Sequence, residues 1–573
     1  MTALVIVVAA VASVAACTTS PDESLLADRP GGGGTVVGTI RNEPQTFNRL
    51  AASDNVSVLM TRLMQASLVR INRTEDVVEP WLAERWSSDD DGRTHTLTLR
   101  DGLTFSDGAP FTSADVLFSF EAVYDERVGS ALADSLLIDG RPIGVEAPDA
   151  TTVVVRFPVP YSPGLRLLDS LPILPRHLLE PALREGTLQE AWGLATPPAE
   201  MAGLGPFVLE SYLPGQRLVF ARNTRYWRTD AAGVPLPYLD RITLEIVADQ
   251  NAEMLRLETG EVDFISSGIR AEDFGSLSRA AEAGQIQLFH LGVGLDADFL
   301  AFNLQPAAMA GDPRQPWLQS LDWRIAVSHA VDRTAFANTI YLGLAEPVFG
   351  PITPGNRTWF LPDLPVYDYD LQRAQELLDG LGLGDRDGDG LREDRDGRPV
   401  RFTLLTQQGN TSRERAAQVL QADLRQVGIG VDVVPLAFGA LIERVMSMDF
   451  DAAYLGFRAS DTDPTANLDF WLSSAAFHLW NPSQPTPATA WERRIDELFG
   501  QQVAISDMDE RVRLFAEVQT LFAEHQPVLY FAAPRLSVAT STRLANVEPS
   551  LLAPYVLWNA DTLAVRGAQT PSP

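Results

Sequence analysis

Residues 79–123 read EPWLAERWSSDDDGRTHTLTLRDGLTFSDGAPFTSADVLFSFEAV, and the fold question turns on them. Thr94, Thr96 and Thr98 alternate with His95, Leu97 and Leu99, the period-two pattern of a half-buried strand. Asp101-Gly102 and Asp107-Gly108 mark tight turns, where glycine takes a positive φ without steric cost. Pro110 lacks a backbone donor and ends the extended run. Thr112 followed by Asp115 makes a capping box for a helix over ADVLFSFEAV, with Val116, Phe120 and Val123 on one face. His95, Ser106 and Asp107 also lie close together here, and they are the residue types of a hydrolase. A nucleophilic serine needs a strained elbow and a histidine turned towards it. No G-x-S-x-G surrounds Ser106, and His95 shares the face of Leu97 and Leu99. The stretch reads as scaffold.

Outward from it, strand-like and helix-like segments alternate. GTVVGTI, TTVVVRF, LDRITLEIV and VRFTLLT read as strands, and RERAAQVLQADLRQVG and DERVRLFAEVQTLFAEH as amphipathic helices. QVLQADLRQVGIGVDVVPL is a helix, a glycine stop and a strand, half of a crossover unit. The pattern predicts an α/β fold with more than one sheet, and 573 residues suffice for several domains. A balance of 45 basic to 75 acidic residues, net −30, argues against nucleic acid or anionic lipid as ligand.

The one cysteine, Cys17, excludes internal disulfides and Cys-based zinc sites. It ends the apolar run MTALVIVVAAVASVAAC, too short to span a bilayer and shaped like a secretory signal. VAAC resembles a lipobox, so residues 1–16 are expected to be cleaved and Cys17 acylated as a membrane anchor, placing the protein outside the cytoplasm. Residues 17–34 then form a glycine-rich tether with a reach of about 20–25 Å.

Further along stand GLGPFVLESYLPGQRLVFARNTRYW (203–227), PYLDRITLEIV and LETGEVDF within 237–264, FLAFNLQP followed by DWRIAVSHAVDRTAFANTIYLGLAEPVFGPI, DFDAAYLGFRASDTDP and HQPVLYFAAPRL. With 79–123, these segments resemble, in order, those of the family 5 extracellular solute-binding proteins, the peptide- and nickel-binding components of ABC importers. The resemblance covers nearly all of 35–560. It implies a type II periplasmic-binding-protein-like fold of two α/β lobes joined by hinge strands, with an extra domain inserted in the first. Lobe one would comprise 35–80, 203–290 and 530–560, the insertion 81–202, lobe two 291–529, and 561–573 a C-terminal tail. Strands near 296–303 and 527–532 would serve as hinges, and closure over a ligand would be a hinge motion.

A binding cleft needs aromatic walls and a few placed charges. Trp359, Trp471 and Trp480 fall in irregular stretches of the second lobe and are expected to wall it, whereas Trp81, Trp86 and Trp227 belong to the core. Aligned on Asp463-Pro464, the position where peptide-binding members hold the ligand ammonium with an aspartate is Ser460, with Asp461 one residue away. Arg458, beside Phe457, is expected to fork onto a ligand carboxylate. RNEPQTFNRL resembles the family's first cleft loop and supplies Glu43 and Phe47, although Phe47-Asn48-Arg49 stands where Leu-Asp-Pro is usual. Tyr530, near a hinge, completes the set.

DRDGDGLREDRDG (385–397) places Asp385, Asp387, Asp389, Leu391, Glu393 and Asp396 at the spacing of an EF-hand-type calcium loop. A strand-like segment follows it, so the expectation is a structural calcium ion or a hydrated acidic hairpin; no cofactor is required. No His cluster supports catalytic zinc. The expected function is a monomeric, lipid-anchored binding protein, not an enzyme, that passes a solute, foremost an oligopeptide, to ABC permease subunits. A metal chelate, sugar or opine on the same scaffold, or an extracytoplasmic hydrolase, are the alternatives.

Overall fold

A computed structural model describes residues 33–89, 92–130, 132–457 and 459–566. The expectations for the leader, for Cys17 with its tether up to Gly32, and for Arg458 lie outside the described residues.

One mixed sheet runs Phe207–Leu213, Arg217–Arg222, Arg241–Ile246, Thr35–Ile40, Phe264–Ile265, Ala532–Ser541, Ile286–Val293, with Ala345–Pro347 beside the start of Ala532–Ser541. Thr35–Ile40 is parallel to both of its neighbours. Gly38 lies opposite Phe264, and an added Cβ there would meet the Phe264 ring at 2.3 Å, so only glycine lets that ring cross the strand. Thr39, beside it and fully buried, donates to Glu253 at 2.7 Å, and Arg41 pairs with the same carboxylate at 2.8 Å.

Residues 81–202 contribute an antiparallel sheet in the order Ala83–Ser88, Thr94–Leu99, Thr152–Arg156, Gly144–Asp149. Thr94–Leu99 buries alternate residues, as its sequence predicts, and Ser113–Tyr124 is a helix whose capping box joins Thr112 and Asp115. One apolar core runs from Val36 through Leu97, Phe120 and Phe157 to Leu563, so this sheet shares its interior with the first. His95, Ser106 and Asp107 take separate partners. His95 Nδ1 meets Ser88 Oγ at 2.7 Å, Ser106 Oγ accepts from the Gly203 N–H at 3.2 Å, and Asp107 pairs with His177 at 2.7 Å.

The other main sheet runs Gly430–Leu436, Arg401–Gln407, Ala452–Leu455, Phe299–Phe302, Val528–Tyr530. The helix Thr411–Arg425 makes the crossover between the parallel strands Arg401–Gln407 and Gly430–Leu436, and Gly428 turns out of it at φ +81°. Strand residues alternate between two cores: Leu300 and Phe302 face Trp323, Phe336 and Leu420, whereas Phe299 and Ala301 face Leu498, Phe515 and Trp471. This is a three-layer α/β/α lobe with its central strands buried on both faces.

The main crossings of the chain between the large sheets come after Val293 and at Phe531, with a short excursion to the first sheet at Ala345–Pro347. Tyr530 is therefore a second-sheet residue, opposite Phe299, and the first sheet begins again at Ala532 rather than at 530. The first sheet also runs past 290 to Val293 and takes Ala345–Pro347 from within 291–529. Nor is the segment after 560 all tail. Leu563 is fully buried, Asp561 pairs with Arg228 and accepts from Tyr226 at 3.0 Å, and Ala564–Val565 pairs with Leu544–Ala545. Among the described residues, no helix is long and apolar enough to cross a membrane.

Candidate binding cleft

Between the lobes lies a cleft of about 1880 Å³. That exceeds the roughly 300–1,000 Å³ of pockets for drug-sized ligands and suits an oligomeric guest. One wall comes from the loop after Ile40, the helix Asn55–Met64 and the insertion; the other from the segments around Asp296, Asn410 and Asp469. The helix is held in place by its cap, Asp54, which accepts from the N–H groups of Val56 and Ser57 at 3.0 and 2.8 Å, and it carries Arg62 in its last turn.

At one rim the walls touch. Arg166, on the insertion, donates to Asp76 Oδ1 at 2.7 Å and to Thr462 Oγ1 at 3.1 Å, and forks onto Asp461 of the second lobe. Thr462 in turn donates to Asp76 at 2.7 Å. The Ser162 N–H adds a bond to the Val503 carbonyl at 2.6 Å. Behind this rim Asp463 pairs with Arg511 at 2.9 Å, both side chains almost fully buried.

The residues expected to bind scatter. Ser460 and Asp461 line the cleft, but the Asp461 carboxylate is committed to Arg166 and so is not free for a ligand ammonium. Glu43 is exposed and accepts from the Gly215 N–H, capping a hairpin; it does not line the cleft. Phe47 is fully buried, edge-on to Tyr212 at 5.8 Å. Trp359, Trp471 and Trp480 are core residues, at most 4% exposed. Trp359 and Trp471 stand edge-on to Phe515, and Trp480 donates its indole N–H to Glu492 at 3.2 Å. The apolar helices behind them absorb the area that the irregular local sequence left open. Phe457, Trp471 and Tyr530 border a separate cavity of about 70 Å³ that meets the cleft at Asp461.

Asp461 apart, the charges that face the cleft were not singled out from the sequence. Asp134 and Asp139 come from the insertion and Asp469 from the second lobe. Burial raises the Asp469 carboxyl above its ordinary range, and the negative charge of Asp134 adds to the effect. Arg49, Arg62, Arg73 and Asp169 gather on the first-lobe side. Only Arg49 left a trace in the sequence, as a departure from Leu-Asp-Pro; the others meet through tertiary structure alone.

Away from the cleft, oxygens of Asp385, Asp387, Asp389 and Glu393 lie within 4.8 Å of one another. Asp396 is drawn off by Arg398 at 2.7 Å, and Leu391 enters through its N–H, which donates to Asp389 at 2.7 Å. Bridges from Glu393 to Gly384 and Pro399 flatten the loop, so its last acidic donor is Glu393, not the twelfth position. The set is all carboxylate oxygen, the chemistry of a hard cation.

Residues 77–478 match the family model described as bacterial extracellular solute-binding proteins, family 5, middle. A probable ABC transporter-binding protein of Deinococcus radiodurans is 27% identical over 533 residues, 89% of each chain. The oligopeptide-binding protein AppA of Bacillus subtilis is 26% identical over 90% of this chain and 89% of its own. In structure, the ABC transporter substrate-binding protein CtaP of Listeria monocytogenes superposes with a TM-score of 0.75 at 23% identity, covering 93% of this chain and 99% of its own.

Proposed function

The chain belongs to the family 5 bacterial extracellular solute-binding proteins, and on that premise we propose that it takes an oligopeptide between its lobes and hands it, unaltered, to an ABC-type importer. The observation that carries this reading is the cleft of about 1880 Å³ between two α/β lobes, with charges of both signs on its walls. A peptide is zwitterionic and several residues long, and such a space suits it better than a small neutral solute. The similarity to an oligopeptide-binding protein over 90% of the chain supports the same class.

With Asp461 held by Arg166, the ligand's ammonium is met by Asp134 and Asp469, whose mutual repulsion a cation relieves. Ser460 contributes from the second-lobe wall. No bond in the ligand is made or broken. The protein works outside the cytoplasm as a monomer, tethered through acylated Cys17, and its partners are the transmembrane permease subunits. The acidic loop 385–393 holds a structural calcium ion. Calcium is expected to raise the melting temperature, with the gain lost in Asp387→Asn; equal melting in calcium and in chelator would remove that part of the proposal.

Native mass spectrometry of protein purified without denaturation tests the reading. Adduct masses that fragment as peptides are expected; a metal chelate or a saccharide in their place would overturn it.

A further inference from the structure

Arg49, Arg62 and Arg73 converge on the first-lobe wall of the cleft, with Asp169 beside them. Asp169 lies 3.5 Å from Arg62 and 3.8 Å from Arg73, and it also accepts from the Ile71 N–H at 3.3 Å. Among the described residues, Arg49 makes one long hydrogen bond, 3.5 Å to the Ala52 carbonyl, and no ion pair. Asp169 is the one carboxylate among the described residues within ion-pair range of this cluster, and it reaches two of the three cations. Burial and the charge of Arg62 pull both Arg49 and Arg73 down to about 10, in Arg73 against the opposing charges of Asp169 and Asp461.

A second feature adjoins this cluster. A side cavity of about 80 Å³ shares Arg49, Arg62, Asp169 and Ser170 with the cleft and is also walled by Gln65, Arg70 and Asp561. Gln65 is 5% exposed, and neither its Oε1 nor its Nε2 has a hydrogen-bond partner. A buried amide left without a partner is costly, and a polar ligand group entering the cavity would satisfy it. A carboxylate or another small oxyanion fits the whole arrangement. Its oxygens accept from guanidinium groups and from Gln65 Nε2, and its charge offsets the cationic excess.

We propose that Arg49, Arg62 and Gln65 form the subsite that receives an anionic group of the captured ligand where the cleft opens into the side cavity. This rests on the peptide reading only for the identity of the group, which is then the peptide's terminal carboxylate. Charge and size complementarity carry the subsite itself.

The test is calorimetry on the full chain stripped of ligand, with a mixed tetrapeptide pool as free acids, the same pool C-terminally amidated, and inorganic phosphate. Wild type, Arg49→Gln/Arg62→Gln and Gln65→Leu are compared. The wild type is expected to prefer acid to amide at least tenfold, and both variants to lower that preference without weakening the amide. Gln65→Leu should also melt no lower than wild type, which separates a ligand role from a structural one. Equal binding of acid and amide by the wild type overturns the subsite and leaves the peptide reading standing. If neither pool binds but phosphate does, and the variants abolish it, the subsite stands and the peptide reading fails. A preference or phosphate response that all three proteins share, or no response to any probe, overturns the proposal.

Discussion

Glu492 shows how one residue can set the acid limit of a lobe. Burial alone would raise its carboxyl, but hydrogen bonds from His478, Gln484 and Thr489 outweigh burial and hold it at about 2. A carboxyl lowered on folding stabilises the native state above its unfolded value, near 4.3, and that contribution is lost as pH falls towards 2. The contribution is about 3 kcal/mol. Denaturant titrations are expected to show stability falling between about pH 4.5 and 2 in the wild type, with a shallower fall over that window in Glu492→Gln; equal slopes would refute the assignment. Trp480 donates to the same carboxylate, and its role shows what the sequence could not supply. An aromatic in an irregular stretch reads alike whether it walls a pocket or fills a core. Arg166 and Asp461 likewise meet across 295 positions of chain, with no local signal.

Elements were far more legible. The strand Thr94–Leu99, the capped helix Ser113–Tyr124 and the crossover from Thr411–Arg425 into Gly430–Leu436 follow from periodicity and caps within a few residues of themselves. Tertiary demands appear where one side chain needs space that another must vacate. Gly38 is such a place, since any Cβ would lie 2.3 Å from the Phe264 ring. Overpacking of this kind costs about 1–3 kcal/mol, and Gly38→Ala is expected to lower the stability of the first lobe by that amount in chemical denaturation. Restoring room with Phe264→Leu should recover part of the loss. An unchanged Gly38→Ala midpoint would mean that the strand shifts freely. The acidic loop is an intermediate case: its carboxylate spacing was plain, but Asp396 pairs with Arg398, two residues on, instead of joining the other carboxylates.

At the scale of the whole molecule, the lobes joined by crossings after Val293 and at Phe531 meet again at the rim through Arg166, Asp76, Asp461 and Thr462. The family resemblance supplied this two-lobed plan, whereas the rim contacts became visible only once the lobes were placed. Charge-assisted hydrogen bonds contribute about 1.5–3 kcal/mol each when buried, less where a partner is partly exposed, as Asp76 is. Arg166→Gln is expected to favour the open form and to weaken ligand binding about tenfold, while each lobe's denaturation midpoint holds. An affinity equal to wild type would show that the rim does not contribute to closure.

The central claim is that two rigid lobes shut on a guest and release it whole. Small-angle X-ray scattering on the stripped protein, repeated after adding back the material eluted from it, tests this most directly. The radius of gyration is expected to fall on loading and to return to its starting value on stripping, with the eluted ligand unchanged in mass through the cycle. A single value in both states, or a ligand that comes off altered, would contradict it.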